Sequence, residues 1–202
     1  MAEAWTVRWA PGKGQAAEPV GTVLMLPGRA SSCESSLLAR TTLALQAAPW
    51  AVVQAAWTLP TLPEAPRSFV EGAARLLDRT KRTPGPVLVV AKSLGTLSAH
   101  WAAERGYPAV WLTPPLKAVG LHPMPTESRE LAHRLRSYPE ASLTVGGMAD
   151  DLWSPGFRST GQVLEIPGAD HQLEDTDRHP SVRRHEEVAA AVAQFATGLL
   201  EE

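Results

Sequence analysis

The chain has 202 residues, with 19 Lys and Arg, 21 Asp and Glu, six His and a single Cys. The net charge of −2 excludes the basic surface typical of nucleic-acid binding, and one Cys excludes a disulfide framework or a Cys-rich zinc site. No apolar run approaches the about 18 residues of a transmembrane helix, and the N-terminal stretch lacks the charged-then-apolar order of a signal peptide. We therefore expect one domain, residues 1–202, in a cytoplasmic protein that binds neither nucleic acid nor membranes.

The predicted elements alternate between strands and helices from the N-terminus onward. Residues 5–9 alternate apolar and polar side chains, as in a half-buried strand, whereas residues 21–26 are almost continuously apolar, as in a strand buried on both faces. Further apolar runs predict five more strands, and the stretches between them carry apolar side chains at helical spacing. Those strands are predicted at 51–57, 87–91, 109–112, 142–145 and 162–166. The helices are predicted at 34–47, 67–82, 94–105, 126–138 and 181–200.

This alternation predicts an α/β fold, a three-layer sandwich with a mostly parallel central sheet and helices on both faces. The first strand is expected at one edge, antiparallel to its neighbour. In an open parallel sheet, binding and catalytic sites lie beyond the carboxyl ends of the strands. Candidate functional residues are therefore to be sought directly after each predicted strand.

A candidate nucleophile follows the most strand-like segment of the chain, in Ala91-Lys92-Ser93-Leu94-Gly95. A sharp turn from a strand into a helix projects a serine hydroxyl outward, and it requires small residues two positions before and two positions after the serine. Gly95 meets this requirement, and Ala91 exceeds the usual glycine by one methyl group. The pattern predicts Ser93 as a nucleophile, and the alternative is a serine that only caps the following helix.

Candidates for the acid and the base follow the last two predicted strands. Asp150 comes after the sixth strand and His171 after the seventh, so the chain order is nucleophile, acid, base. Because all three residues follow strands, we expect them at one edge of the sheet, with His171 as the base and Asp150 orienting its ring. Asp151 is the alternative acid. Asp170 is a poor candidate, because it is adjacent to His171 and cannot easily fold back onto the imidazole.

At these motifs the chain resembles the α/β-hydrolase superfamily, in particular small serine hydrolases of the dienelactone-hydrolase and esterase type that lack a cap. Gly147-Met-Ala-Asp150 is similar to the acid loop of that superfamily, and Pro167-Gly-Ala-Asp-His171 is similar to its base loop. The resemblance extends over nearly the whole chain. It implies a serine hydrolase with Ser93, Asp150 and His171 as its catalytic residues.

The segment Leu26-Pro27-Gly28-Arg29 resembles the oxyanion loop of the superfamily, with Pro27 where a histidine is more usual. Only the backbone N–H of the residue after the glycine is needed there. The resemblance therefore implies that the backbone N–H groups of Arg29 and Leu94 form the oxyanion hole.

The distance along the chain between Ser93 and Asp150 leaves no room for a cap, since 57 positions separate the two residues and the predicted helices and strands use nearly all of them. An open site of this kind suits small esters, thioesters or lactones. Trp57 ends a strand at the functional edge, Trp153 follows the acid loop by three residues, and both are expected to line an apolar substrate pocket. The alternative is that both pack structurally.

These observations predict a serine hydrolase for a small acyl substrate, acting as a monomer or a homodimer without a metal or another cofactor. Lys92 and Arg29 lie beside the predicted reaction centre and could meet an anionic substrate or lie at the surface. The alternative function is that of a catalytically silent binding or scaffold protein with a hydrolase fold, which the unusual Ala91 and Pro27 would permit.

Overall fold

The computed structural model describes residues 5–10, 19–57, 59–81, 83–118, 124–175 and 182–201. Seven strands lie in these ranges: β1 (Trp5–Ala10), β2 (Gly21–Leu26), β3 (Trp50–Trp57), β4 (Val87–Lys92), β5 (Ala109–Leu112), β6 (Ser142–Gly147) and β7 (Gln162–Ile166). They form one sheet in the order β1-β3-β2-β4-β5-β6-β7. Strand β1 pairs antiparallel with β3, and every other pairing is parallel. The predicted parallel sheet with an antiparallel first strand at its edge is confirmed.

Helices cover both faces of this sheet, as the alternation of elements predicts. They are α1 (Ser36–Ala47), α2 (Pro66–Thr80), α3 (Ala99–Glu104), α4 (Pro125–Arg136) and α5 (Val182–Gly198). One apolar cluster joins the sheet to α2, α3 and α4, and a second joins it to α1 and α5. Strand β2 contributes Leu24 and Leu26 to the first cluster and Val23 and Met25 to the second, which explains its continuous apolar sequence. The three-layer architecture is therefore confirmed.

The helix predicted at 94–105 differs from expectation in its first half. Residues Ser93–Ser98 form a 3₁₀ helix, and the α-helix α3 begins only after it. The Thr96 hydroxyl donates to the Ser93 carbonyl at 2.6 Å, and the Ser98 hydroxyl donates to the Gly95 carbonyl at 2.8 Å. Each hydroxyl thus occupies a carbonyl three residues earlier, which competes with the usual α-helical hydrogen bond. Hydrophobic spacing alone cannot distinguish these two helix types.

The carboxyl ends of the six parallel strands meet at one edge, where the candidate residues follow them. In the described part of the chain between Ser93 and Asp150, only short helices, two strands and their connections occur, so no cap is built there. The fold therefore has no cap in this part of the chain, as the short distance in sequence between Ser93 and Asp150 predicts. None of the helices in the described ranges combines the length and apolarity needed to cross a membrane.

Candidate active site

The turn that carries the candidate nucleophile, which we call the nucleophile turn (91–95), has the strained geometry that its sequence predicts. Ser93 has a positive φ of 49°, a conformation that costs an L-residue roughly 1–3 kcal/mol. A β-carbon at Gly95 would lie 2.6 Å from the Leu26 carbonyl oxygen and 2.8 Å from that of Pro27. Since both neighbours are backbone atoms, only glycine fits. Ala91 is fully buried between β2 and β5, where its single methyl group is accommodated.

Three side chains from different strand ends are joined by two short hydrogen bonds. Ser93 Oγ lies 2.7 Å from His171 Nε2, and His171 Nδ1 lies 2.7 Å from Asp150 Oδ2. The carboxylate can only accept, so Nδ1 carries the proton of the neutral ring and Nε2 accepts from the serine hydroxyl. The structure thus brings together the three residues selected from the sequence.

The structure also distinguishes between the two candidate acids. Asp150 is 6% exposed, and its second oxygen, Oδ1, accepts a hydrogen bond of 2.9 Å from the Leu152 N–H. This bond fixes the carboxylate in the orientation in which Oδ2 faces His171. Asp151 is exposed to solvent instead. Of the two aspartates, only Asp150 contacts the imidazole.

His171 sits in a loop after β7, the base loop (167–175), which is shaped by the aspartate that precedes the histidine. Asp170 Oδ1 accepts hydrogen bonds from the N–H groups of Gln172 at 2.7 Å and Glu174 at 2.9 Å. An aspartate that binds backbone N–H groups further along the chain creates a compact turn. Asp170 is thus no catalytic acid, but it shapes the loop that presents the base. The turn-forming preference of aspartate was the sequence signal for this role.

Two buried side chains, whose role sequence analysis did not identify, donate hydrogen bonds to the backbone of the base loop. Lys92 is only 1% exposed, and its Nζ donates to the His171 carbonyl at 3.3 Å. His185 of α5 is also buried; its Nε2–H donates to the Gln172 carbonyl at 2.9 Å while its Nδ1 lies 2.9 Å from Ser36 Oγ. The consecutive carbonyls of His171 and Gln172 therefore each accept a hydrogen bond from a buried side chain, one from β4 and one from α5.

Burial lowers the pKa of Lys92 from 10.5 to about 8, because removing the ammonium group from water favours the neutral amine. The nearby carboxylates of Asp150, Asp170 and Glu174 act in the opposite direction and raise it. The interpretations of Lys92 as a surface residue or as a contact for an anionic substrate are therefore wrong. No pattern in the sequence reveals this burial, since it depends on the base loop that closes over the residue.

The segment after β2 (27–31), which we call the oxyanion loop after its predicted role, packs directly against the candidate nucleophile. A β-carbon at Gly28 would lie 3.2 Å from the β-carbon of Ser93, and the Gly28 N–H donates to Ser31 Oγ at 3.1 Å. In the described part of the chain, neither the Arg29 nor the Leu94 N–H donates to a backbone carbonyl. Arg29 and Leu94 directly follow Gly28 and Ser93, the two residues of this contact.

The expectation that Trp57 and Trp153 line a substrate pocket is wrong. Trp153 is completely buried, and its Nε1 donates to Glu165 Oε1 at 2.8 Å. Trp57 is 5% exposed and packs edge-to-face on Phe69, with ring centroids 5.4 Å apart. Its Nε1 donates to the Gly28 carbonyl at 2.9 Å, so this indole anchors the oxyanion loop from within the core. Their positions near strand ends in the sequence did not reveal that both rings turn into the core.

Several solved structures share this architecture. Est1E from Butyrivibrio proteoclasticus with bound ferulic acid has a TM-score of 0.75 at 15% identity, covering 98% of this chain and 96% of that chain. The mouse α/β-hydrolase domain-containing protein 10 gives 0.65 at 13% identity, covering 96% and 94% of the two chains. A monoacylglycerol lipase from Paleococcus ferrophilus gives 0.65 at 11% identity, covering 95% and 98%. No protein-family model and no curated protein sequence matches the chain.

These similarities and the strand order define the fold of the protein. The chain has the fold of the α/β-hydrolase superfamily, in the cap-less form described above.

Proposed function

We propose that this protein is a serine hydrolase that cleaves an ester, thioester or lactone of a small substrate through an acyl-enzyme intermediate. The observation that carries the proposal is the continuous hydrogen-bonded series from Ser93 through His171 to Asp150. A serine hydroxyl is a weak nucleophile until an adjacent base removes its proton. The strained backbone at Ser93 further supports this function, because such strain concentrates at functional sites.

In the first half of the reaction, Ser93 Oγ attacks the carbonyl carbon while its proton moves to His171 Nε2. Asp150 holds the ring in the required tautomer and stabilises the imidazolium that forms. The negative charge that develops on the carbonyl oxygen is stabilised by the N–H groups of Arg29 and Leu94. Removal of one such donor costs about 2.7–4 kcal/mol in comparable sites. Collapse of the tetrahedral intermediate breaks the bond to the alcohol or thiol, which leaves with the proton from His171.

In the second half, water takes the place of the alcohol. His171 removes one proton from the water molecule as its oxygen attacks the acyl carbon. The bond to Ser93 Oγ then breaks, the serine recovers its proton from the imidazolium, and the acid is released. Every proton moves between the substrate, water and these side chains, so the mechanism requires no metal and no other cofactor.

The absence of a cap in the described residues between the nucleophile and the acid favours small substrates. An open site offers few walls against which an acyl chain can be buried, and each buried methylene would contribute about 0.8 kcal/mol. We therefore expect p-nitrophenyl esters of short and medium acyl chains to be hydrolysed with similar kcat/KM. A steep and sustained gain with each added methylene would contradict the open site.

Active-site labelling tests the function directly. A fluorophosphonate probe should modify Ser93, and Ser93→Ala should abolish both labelling and the hydrolysis of p-nitrophenyl acetate. Ser137→Ala is the matched control, because Ser137 is exposed and follows the end of α4. A folded wild-type protein that neither reacts with the probe nor hydrolyses the ester would instead be a silent binding protein, and an adduct on another serine would contradict the assignment of the nucleophile.

A further inference from the structure

A buried cation lies directly beside the candidate nucleophile, and the reaction described above does not use it. Lys92 ends β4, is only 1% exposed, and immediately precedes Ser93. Lysine side chains are almost never fully buried unless they are paired. In the described part of the chain no carboxylate forms a direct ion pair with this ammonium group; its one hydrogen bond, of 3.3 Å, goes to the His171 carbonyl.

The surroundings of Lys92 would suit an apolar side chain. Its neighbour across the sheet in β5 is the fully buried Leu112. Ala91 belongs to the apolar cluster under α2, α3 and α4, so Lys92 points to the opposite face of the sheet, toward the cluster that includes Ala169 and Leu173 of the base loop. Keeping a charge here costs stability, because a well-packed apolar residue often serves a buried position at least as well as an ion.

The contact of Lys92 completes a two-point attachment between the strand of the nucleophile and the base. His171 is joined to Ser93 through its side chain and to Lys92 through its backbone carbonyl. These two attachments add to the contacts that Asp150 makes with the imidazole and His185 makes with the next carbonyl, and they link both the side chain and the backbone of His171 to the strand of the nucleophile. Since Lys92 and Ser93 are consecutive, both attachments start from the same rigid strand end.

We propose that Lys92 is a positioning residue, which holds the backbone of His171 so that Nε2 stays within hydrogen-bond reach of Ser93 Oγ. This inference rests on the proposed hydrolase function. A protonated amine forms a stronger hydrogen bond to a carbonyl than a neutral amine does. The hydrogen bond from Lys92 Nζ to the His171 carbonyl should therefore weaken when the ammonium group loses its proton.

Burial places this proton loss near neutral pH, since the pKa of Lys92 is lowered to about 8. The charged groups that face it are Asp150 from the turn after β6, and Asp170 and Glu174 from the base loop; all three favour the ammonium form. As the pH rises through about 8, Lys92 in the folded protein loses its positive charge, and its hydrogen bond to the His171 carbonyl weakens. We expect kcat to decline over that range.

The test compares the wild type with Lys92→Met, in which the unbranched apolar side chain keeps most of the volume. The kcat and KM for p-nitrophenyl acetate are measured from pH 6 to pH 10, together with the melting temperature. We expect kcat at neutral pH to fall about 10- to 100-fold in the variant, the range produced by misplacing a catalytic group by about 1 Å, with KM unchanged. The alkaline decline should disappear, and the melting temperature should not fall.

Two controls accompany this variant. Lys81→Met makes the same chemical change after the end of α2, at the opposite edge of the sheet, and should keep both the kcat and the alkaline decline of the wild type. Ser93→Ala sets the background rate. A wild type no faster than Ser93→Ala would overturn the proposed function and this inference with it.

Two other outcomes would overturn the role of Lys92 alone, with the hydrolase function intact. In the first, Lys92→Met retains the wild-type kcat and its alkaline decline. In the second, kcat falls only in proportion to the folded fraction while the alkaline decline persists, which is the result of a purely structural role.

Discussion

The nucleophile turn and the base loop present their residues to the same candidate active site, but they are held by different kinds of contact. The nucleophile turn is fixed by steric exclusion: Gly95 lies against backbone oxygens of β2 and the oxyanion loop, and Ser93 is held at positive φ. The base loop is fixed by separate polar contacts, from Asp170 within the loop and from Lys92 and His185 outside it. Steric exclusion cannot be relaxed in part, whereas polar contacts can be removed one at a time.

This contrast predicts different consequences of mutation. Changes at Gly95 of the nucleophile turn should act mainly on folding, because backbone atoms must move to accept them. Changes around the base loop should act mainly on catalysis, because the fold survives the loss of one contact while the imidazole loses its alignment.

The largest expected effect comes from the acid that orients the base. In Asp150→Asn, the side-chain oxygen should keep the hydrogen bond from the Leu152 N–H, which turns the new NH₂ group toward His171 Nδ1. The ring must then accept at Nδ1 and carry its proton on Nε2, where it can no longer accept from Ser93. We expect kcat to fall about 10⁴-fold with an unchanged fold.

The control for this prediction is the adjacent, exposed Asp151. Asp151→Asn makes the same chemical change without touching the imidazole and should leave kcat at the wild-type value. Steady-state kinetics on p-nitrophenyl acetate and a circular dichroism spectrum check both variants. Equal losses in the two variants would show that Asp150 does not act through its contact with His171.

The second prediction concerns the steric contact in the nucleophile turn. Gly95→Ala places a methyl group within about 2.6–2.8 Å of two backbone oxygens, so β2 and the turn must separate. We expect the free energy of unfolding to fall by about 3 kcal/mol, the upper part of the range for an overpacked core. Urea denaturation measures the change.

The matched control is Gly72→Ala on α2, where an added β-carbon meets no atom within 4 Å. There the substitution should stabilise the protein by up to about 1 kcal/mol, because alanine is the better helix former. If Gly95→Ala were as stable as Gly72→Ala, the turn would not be held by steric exclusion.

The same contrast explains how much of the molecule its sequence could predict. The strands and the nucleophile turn were predictable because continuous apolar runs and small residues around a serine are local properties. Trp57, Trp153 and Lys92 were misjudged because their burial depends on residues far away in the chain. Strand ends show which edge of the sheet a residue approaches, but not whether a ring turns into the core or a loop closes over an ammonium group.

The third prediction concerns the stability cost of Lys92. Its pKa is lowered from 10.5 to about 8 in the folded protein. At pH values where both the folded and the unfolded chain hold the proton, the buried ammonium group therefore lowers the free energy of unfolding by about 3 kcal/mol. Lys92→Met removes this cost and loses one hydrogen bond worth about 1 kcal/mol. We therefore expect the variant to be about 2 kcal/mol more stable than the wild type at pH 7.

The extra stability of Lys92→Met over the wild type should decrease as the pH rises. Between about 8 and 10.5 the unfolded wild-type chain binds more protons at this lysine than the folded protein, so the wild type gains stability as the pH rises. The difference between the variant and the wild type should consequently shrink between pH 8 and pH 10.5. Urea denaturation of both proteins at pH 7 and pH 10 tests the expectation, which a difference that stays constant with pH would contradict.

The smallest expected effect on stability comes from the aspartate that shapes the base loop. Asp170→Ala removes the acceptor for the N–H groups of Gln172 and Glu174, both of which are exposed residues that water can solvate. The free energy of unfolding should therefore fall by only about 1 kcal/mol, whereas kcat should fall about tenfold because the loop no longer holds His171 in one place. Asp170→Asn keeps a side-chain oxygen that can form the same turn, so it should recover most of the lost kcat. Urea denaturation and steady-state kinetics on the same preparations separate the two effects. If Asp170→Ala instead lost several kcal/mol of stability at wild-type kcat, the base loop would be a folding element like the nucleophile turn, and the contrast between the two regions would be wrong.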